Sequence, residues 1–126
     1  MQTIFCPKCK HPIKTILRDQ IFQGWVFCSN CGEPTFITAK ENVPAFAKSL
    51  TEILNDCAPV QNLLILFEFL LKRGSAKLDD IIFVAGKSVE NAVLTLHDYG
   101  VLEKRGEYYS LVPAFENYVN NFISSY

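Results

Sequence analysis

The sequence predicts an α+β chain, a small β segment carrying paired cysteines followed by a mainly helical domain. Three observations lead there. Two Cys-x-x-Cys knuckles, Cys6–Cys9 and Cys28–Cys31, lie eighteen residues apart with strand-like runs between them. From about residue 44 onward apolar residues recur at helical spacing. Near residues 101–111 two short β-rich runs flank a turn with glycine. Of the 126 residues, 49% are apolar, 13% aromatic and 20% charged, which excludes a disordered or low-complexity chain.

In the cysteine segment, Lys14–Leu17 and Ile21–Phe27 read as strands, and Thr35–Thr38 as a third that pairs with them. Ala39–Val43 reads as a linker, giving domains over 1–40 and 44–126. Beyond it, Phe46, Leu50, Ile53, Leu54 and Cys57 form one stripe of an amphipathic helix with Pro44 near its start. Pro59 opens a second helix that runs to about Arg73 and stops at Gly74. It is apolar nearly all round from Leu63 to Leu71, so it is expected to be the central, buried helix. A third helix spans about Lys77–Val84 and ends at Gly86. Ser88 is placed to cap a fourth, with Val89, Val93 and Leu96 inward and Gly100 at its end. Val101–Lys104 and Glu107–Leu111 form a hairpin about Arg105-Gly106. Pro113 opens a last helix striped by Phe115, Tyr118, Val119, Phe122, Ile123 and Tyr126.

Charge and targeting signals narrow the function. Residues 1–40 carry five Lys/Arg against two Asp/Glu, a net +3, and residues 41–126 carry seven against eleven, a net −4. The longest apolar stretch, Leu63–Leu71, is far short of the roughly 20 residues of a bilayer span. The first ten residues contain no apolar signal-peptide core, so the expected compartment is the reducing cytoplasm, nucleoid or nucleus, with no membrane partner.

In that setting cysteine pairs point to metal before disulfides. A Cys-x-x-Cys turn puts two thiolates on one side of a tight loop, and two such loops complete a tetrahedron around Zn²⁺. Cys6, Cys9, Cys28 and Cys31 are therefore the expected ligands of one structural zinc, with iron as the rival metal for four thiolates. With all four positions filled there is no place for a catalytic water. Forty residues bury too little apolar surface to fold unaided, so the metal supplies the missing stability. His11 is read as an exposed residue beside a ligand set that is already complete. Residues 4–38 resemble the zinc ribbons of transcription factors and RNA polymerase subunits, with Lys10 where many ribbons place glycine.

Residues 59–112, as helix, short helix, helix and hairpin, resemble a winged helix-turn-helix domain. The resemblance implies a recognition helix at Ser88–Tyr99 and a wing tip at Arg105-Gly106. It implies duplex DNA contacts from Lys87, Ser88, Asn91 and Thr95, with Asn91 suited to adenine. Lys104 and Arg105 would meet phosphates. Glu90 and Asp98 on the same helix, and the acidic balance of the domain, work against DNA.

Other signals read as structural. Gly86-Lys87-Ser88 lacks the glycine at position 81 that a P-loop needs, where Ile81 stands. Asp79 and Asp80 point about 100° apart and suit a helix first turn. Cys57 reads as core and Trp25 as a packing aromatic. His11 and His97 lack catalytic company, so no enzyme is expected. The expected function is a DNA-binding transcription regulator or accessory factor of the transcription machinery. Its rival is an adaptor whose two modules both dock polypeptide. A homodimer is also expected, with Phe115, Tyr118, Val119, Phe122 and Tyr126 of the last helix pairing with the Phe46–Leu54 stripe of a second copy.

Overall fold

Strands fill most of the first fifty positions, and helices dominate the rest with three short strands among them. The computed structural model describes all 126 residues, in two compact units, Met1–Ile53 and Leu54–Tyr126. It is a mixed α+β chain, with small sheets first and helices after.

In the first unit, β1 (Gln2–Phe5) and β2 (Pro12–Ile16) form an antiparallel hairpin. Strands β3 (Phe22–Phe27), β4 (Pro34–Lys40) and β5 (Val43–Ser49) form a second antiparallel sheet in that order. Period-two alternation puts Ile37 and Ala39 of β4 on the inner face, where they join Ile4 and Ile16 in a small core flanked by Phe22, Val26, Ala45 and Ala47. Trp25 and Phe36, directly opposite in register, lie on the other face and meet edge to face at 5.3 Å. The side-chain amide of Gln2 stands in for a strand neighbour of β5. It accepts from the Ala45 N–H at 2.9 Å and donates to the Ala45 carbonyl at 3.4 Å.

The expected linker at 39–43 is instead the end of β4, a two-residue turn and the start of β5. Lys40 pairs with Val43, and Asn42 takes the left-handed conformation (φ 63°) that the turn needs. The helix expected from Pro44 is correspondingly shorter. Phe46 sits on β5 opposite Thr38 and is exposed, and α1 covers only Leu50–Cys57. Its start is set by a side-chain cap: the Ser49 hydroxyl accepts from the Glu52 N–H at 3.2 Å and donates to the Glu52 carboxylate at 3.1 Å. The two compact units meet at Ile53–Leu54, inside α1.

Thr35, on β4, is fully buried, and its hydroxyl has no hydrogen-bond partner in the protein. An orphaned buried hydroxyl costs about 1–3 kcal/mol, so Thr35→Val is expected to leave stability unchanged or raise it by up to about 2 kcal/mol. The midpoint of urea unfolding of the whole chain tests this, and a clear loss of stability would contradict it.

In the second unit the order is α2 (Val60–Arg73), β6 (Ala76–Lys77), α3 (Leu78–Ala85), α4 (Val89–Asp98), β7 (Leu102–Arg105) and β8 (Tyr108–Leu111). A 3₁₀ turn (Pro113–Phe115) then leads into α5 (Glu116–Ser124). The three strands form an antiparallel sheet in the order β6-β8-β7. Helix α2 is central but not buried all round. Leu63, Leu66, Phe67 and Leu70 are covered at i, i+3, i+4 and i+7, while Ile65 and Leu71 face out. The inward positions Ile81 and Ala85 of α3 and Val89, Ala92, Val93 and Leu96 of α4 complete the core.

Two local expectations change. Ser88 makes no side-chain capping bond and already has helical backbone angles (φ −61°, ψ −21°). The hairpin turn is Gly106-Glu107, since Arg105 pairs with Tyr108, and Gly106 has φ 60°. The stripe assigned to a dimer interface is largely used within the chain. Phe115, Val119 and Phe122 are buried, and Phe122 packs edge to face on Phe67 of α2 at 5.7 Å. Tyr118 is half-buried and Tyr126 exposed. With Phe46 on a strand, the second stripe of that pairing does not exist as one helical face.

Candidate metal centre

The knuckle Cys6-Pro7-Lys8-Cys9 joins β1 to β2, and Cys28-Ser29-Asn30-Cys31 joins β3 to β4. Each is closed by the same backbone bonds. Cys6 N–H donates to His11 O at 2.8 Å and Lys10 N–H to Cys6 O at 2.8 Å. Correspondingly, Cys28 N–H donates to Glu33 O at 3.1 Å and Gly32 N–H to Cys28 O at 2.9 Å. The residue after the second cysteine is left-handed in both, Lys10 at φ 68° and Gly32 at φ 78°. Lysine at position 10 thus adopts the conformation for which glycine is favoured.

The knuckles bring their sulfurs together. All four Sγ atoms lie within 4.8 Å of one another, and the pairs Cys6–Cys31 and Cys9–Cys28 stand 3.6 Å apart. A tetrahedral site with metal–sulfur bonds of about 2.3 Å has sulfur–sulfur edges of about 3.8 Å, so the cluster has the dimensions of a four-thiolate centre. Cys6 and Cys28 are buried, Cys9 is half-buried and Cys31 borders solvent. These four cysteines can hold a metal ion.

The surroundings bias the thiols in opposite directions. The Asn30 side-chain amide, which donates to Cys9 Sγ at 3.4 Å, and the backbone at His11 lower Cys9 to about 6. Cys31 is pushed up to about 12, first by loss of water around a thiol turned toward three others, and then by those thiols themselves. Metal uptake must displace such protons, so affinity falls as pH is lowered. His11 stays outside the ligand group, exposed and 3.3 Å from Ser29 Oγ through Nε2.

The second set of expected site residues is dispersed over the second unit. Lys87, Ser88 and Asn91 are exposed at the start of α4, and Thr95 is half-buried. Lys104 and Arg105 are exposed at the end of β7. Lys104 Nζ lies 5.4 Å over the Tyr109 ring, and Arg105 reaches Glu103 at 3.9 Å, a contact that solvent screens. Two features were not expected. Glu33, just past the second knuckle, is buried, and Phe83 on α3 is 90% exposed. The S-x-x-E spacing of Ser49–Glu52 was the available signal for the start of α1; nothing in the residue pattern marked Glu33.

No single helix is long and apolar enough to cross a membrane. Set against known proteins, the chain matches no family model, no curated protein and no solved structure.

Proposed function

We propose that the chain is a non-enzymatic, two-module transcription factor or accessory factor. One module is a ribbon held by a single structural Zn²⁺ on Cys6, Cys9, Cys28 and Cys31. The other is a winged helix-turn-helix that binds duplex DNA. Zinc is preferred over iron because a redox-inert ion suits a site with a purely structural role. The observation that carries the DNA reading is the order α2-β6-α3-α4-β7-β8, with its strands arranged β6-β8-β7. In that reading α4 and the β7–β8 hairpin are the parts that meet a groove and its flanking phosphates. Lys87, Ser88 and Asn91 on α4 and Lys104 and Arg105 on the hairpin are exposed, as contact residues must be.

The test is a salt titration of binding to mixed-sequence duplex. Phosphate-driven binding weakens steeply with salt, and Lys104→Ala with Arg105→Ala should lower the slope by roughly one per lost contact. Asn91→Ala should relax sequence preference without changing that slope. A double variant with unaltered affinity would defeat the DNA reading.

One set of observations favours an adaptor instead. Phe83 is 90% exposed, with Val84 and Leu94 each at 43%. Residues 54–126 also carry nine Asp/Glu against six Lys/Arg. Apolar groups beside acids suit a polypeptide surface better than a phosphate backbone.

A further inference from the structure

Glu33 is the one charged residue buried in the chain, at 1% exposure. A buried carboxylate survives only when its oxygens are satisfied. One oxygen accepts from the Thr51 N–H at 3.0 Å and from the Thr51 hydroxyl at 2.5 Å. The other lies 4.0 Å from Lys8 Nζ, whose side chain is 62% exposed, so solvent screens that pair and the Thr51 bonds carry the interaction. Thr51 lies in the first turn of α1, where backbone N–H groups lack helical partners and negative charge is favoured.

The position of Glu33 is tied to the second knuckle. Its backbone carbonyl receives the Cys28 N–H bond that closes the second knuckle, and it follows Cys31 by two residues. Lys8 sits inside the first knuckle, between Cys6 and Cys9. The second knuckle thus places the carboxylate on the first turn of α1, with Lys8 of the first knuckle 4.0 Å from its other oxygen.

We propose that Glu33 couples metal occupancy at the four-cysteine centre to the first turn of α1, an inference that rests on the metal reading above. Metal holds the knuckles closed and keeps Glu33 on Thr51. By reciprocity, the Thr51 bonds hold the second knuckle in its ligating shape, and metal is bound more tightly for it.

Zinc affinity of the whole chain, measured by competition with a chromophoric chelator, tests the coupling. Glu33→Ala should weaken zinc binding by roughly ten- to hundredfold, the range for outer partners of metal sites, with one zinc still bound at saturation. Glu33→Gln keeps an acceptor for Thr51 and should lose less; it serves as the measured variant if the alanine protein fails to fold. Ser49→Ala removes the local cap of the same helix but leaves the Glu33–Thr51 bonds in place, so it should weaken zinc binding less than Glu33→Ala does. In zinc-loaded Glu33→Ala protein the Thr51 amide should also exchange faster with solvent than in the wild type. Zinc affinity within twofold of wild type in Glu33→Ala, or in Glu33→Gln where the alanine protein does not fold, would overturn the coupling. A wild-type chain that takes up no zinc would instead defeat the metal reading itself.

Discussion

Cys28→Ser should abolish metal uptake and leave residues 1–53 without their sheets, while residues 54–126 keep their helices. The first unit has little else to hold it. Its two sheets, of two and three strands, share only the small apolar cluster of Ile4, Ile16, Ile37 and Ala39, and its other buried aliphatics are Leu50 and Ile53 of α1. Sheets so small are marginal in water, and metal binding at structural sites of this type supplies about 10–16 kcal/mol of folding free energy at neutral pH. The second unit has an independent core on α2, α3, α4 and α5 that contains no ligand cysteine. Metal content of protein purified without added metal should be about one ion per chain, falling to none in the variant. Amide exchange by residue would show the loss confined to the first unit. Sheets that stay protected after chelation would refute the metal's structural role.

Phe122→Glu should destabilise the second unit by at least about 3–5 kcal/mol, the range for losing a core phenylalanine, with no change in association state. Phe122 is 7% exposed and packs edge to face on Phe67, itself buried on α2. The substitution removes that packing and places a carboxylate where water does not reach. Chemical unfolding followed by far-ultraviolet dichroism gives the first quantity, and sedimentation the second. A folded protein of unchanged stability and smaller sedimenting mass would restore the intermolecular role that the aromatic stripe suggested.

That stripe shows how far residue patterns reach. The positions Phe115, Val119 and Phe122 correctly announce an apolar helical face, but periodicity says only that a face is covered, not by what. The covering surface is α2, more than forty residues earlier in the chain. Similarly, Phe46 falls in helical phase with Leu50, Ile53 and Leu54, yet lies on β5, because pairing with β4 satisfies its backbone. The competing local signal was the Ser49 side-chain cap on Glu52, which marks where the helix starts. The limits of α2, α3 and α4 followed more closely, since Pro59, Gly74 and Gly86 act locally on the backbone.

The sequence by itself determined which four cysteines come together. Two Cys-x-x-Cys turns impose their geometry through bonds within five residues, and the four sulfurs meet as that spacing implies. It also determined the α+β class, because strand-like runs dominate the first forty residues and the 3.6 period most of the rest. Only the tertiary structure decided that Glu33 is buried on Thr51, that Phe122 faces inward, and that residues 39–43 form a turn within a sheet. Those outcomes depend on which distant surface arrives to remove water or complete a hydrogen bond. Such partners are set by the packing of the whole chain and leave no mark in local spacing.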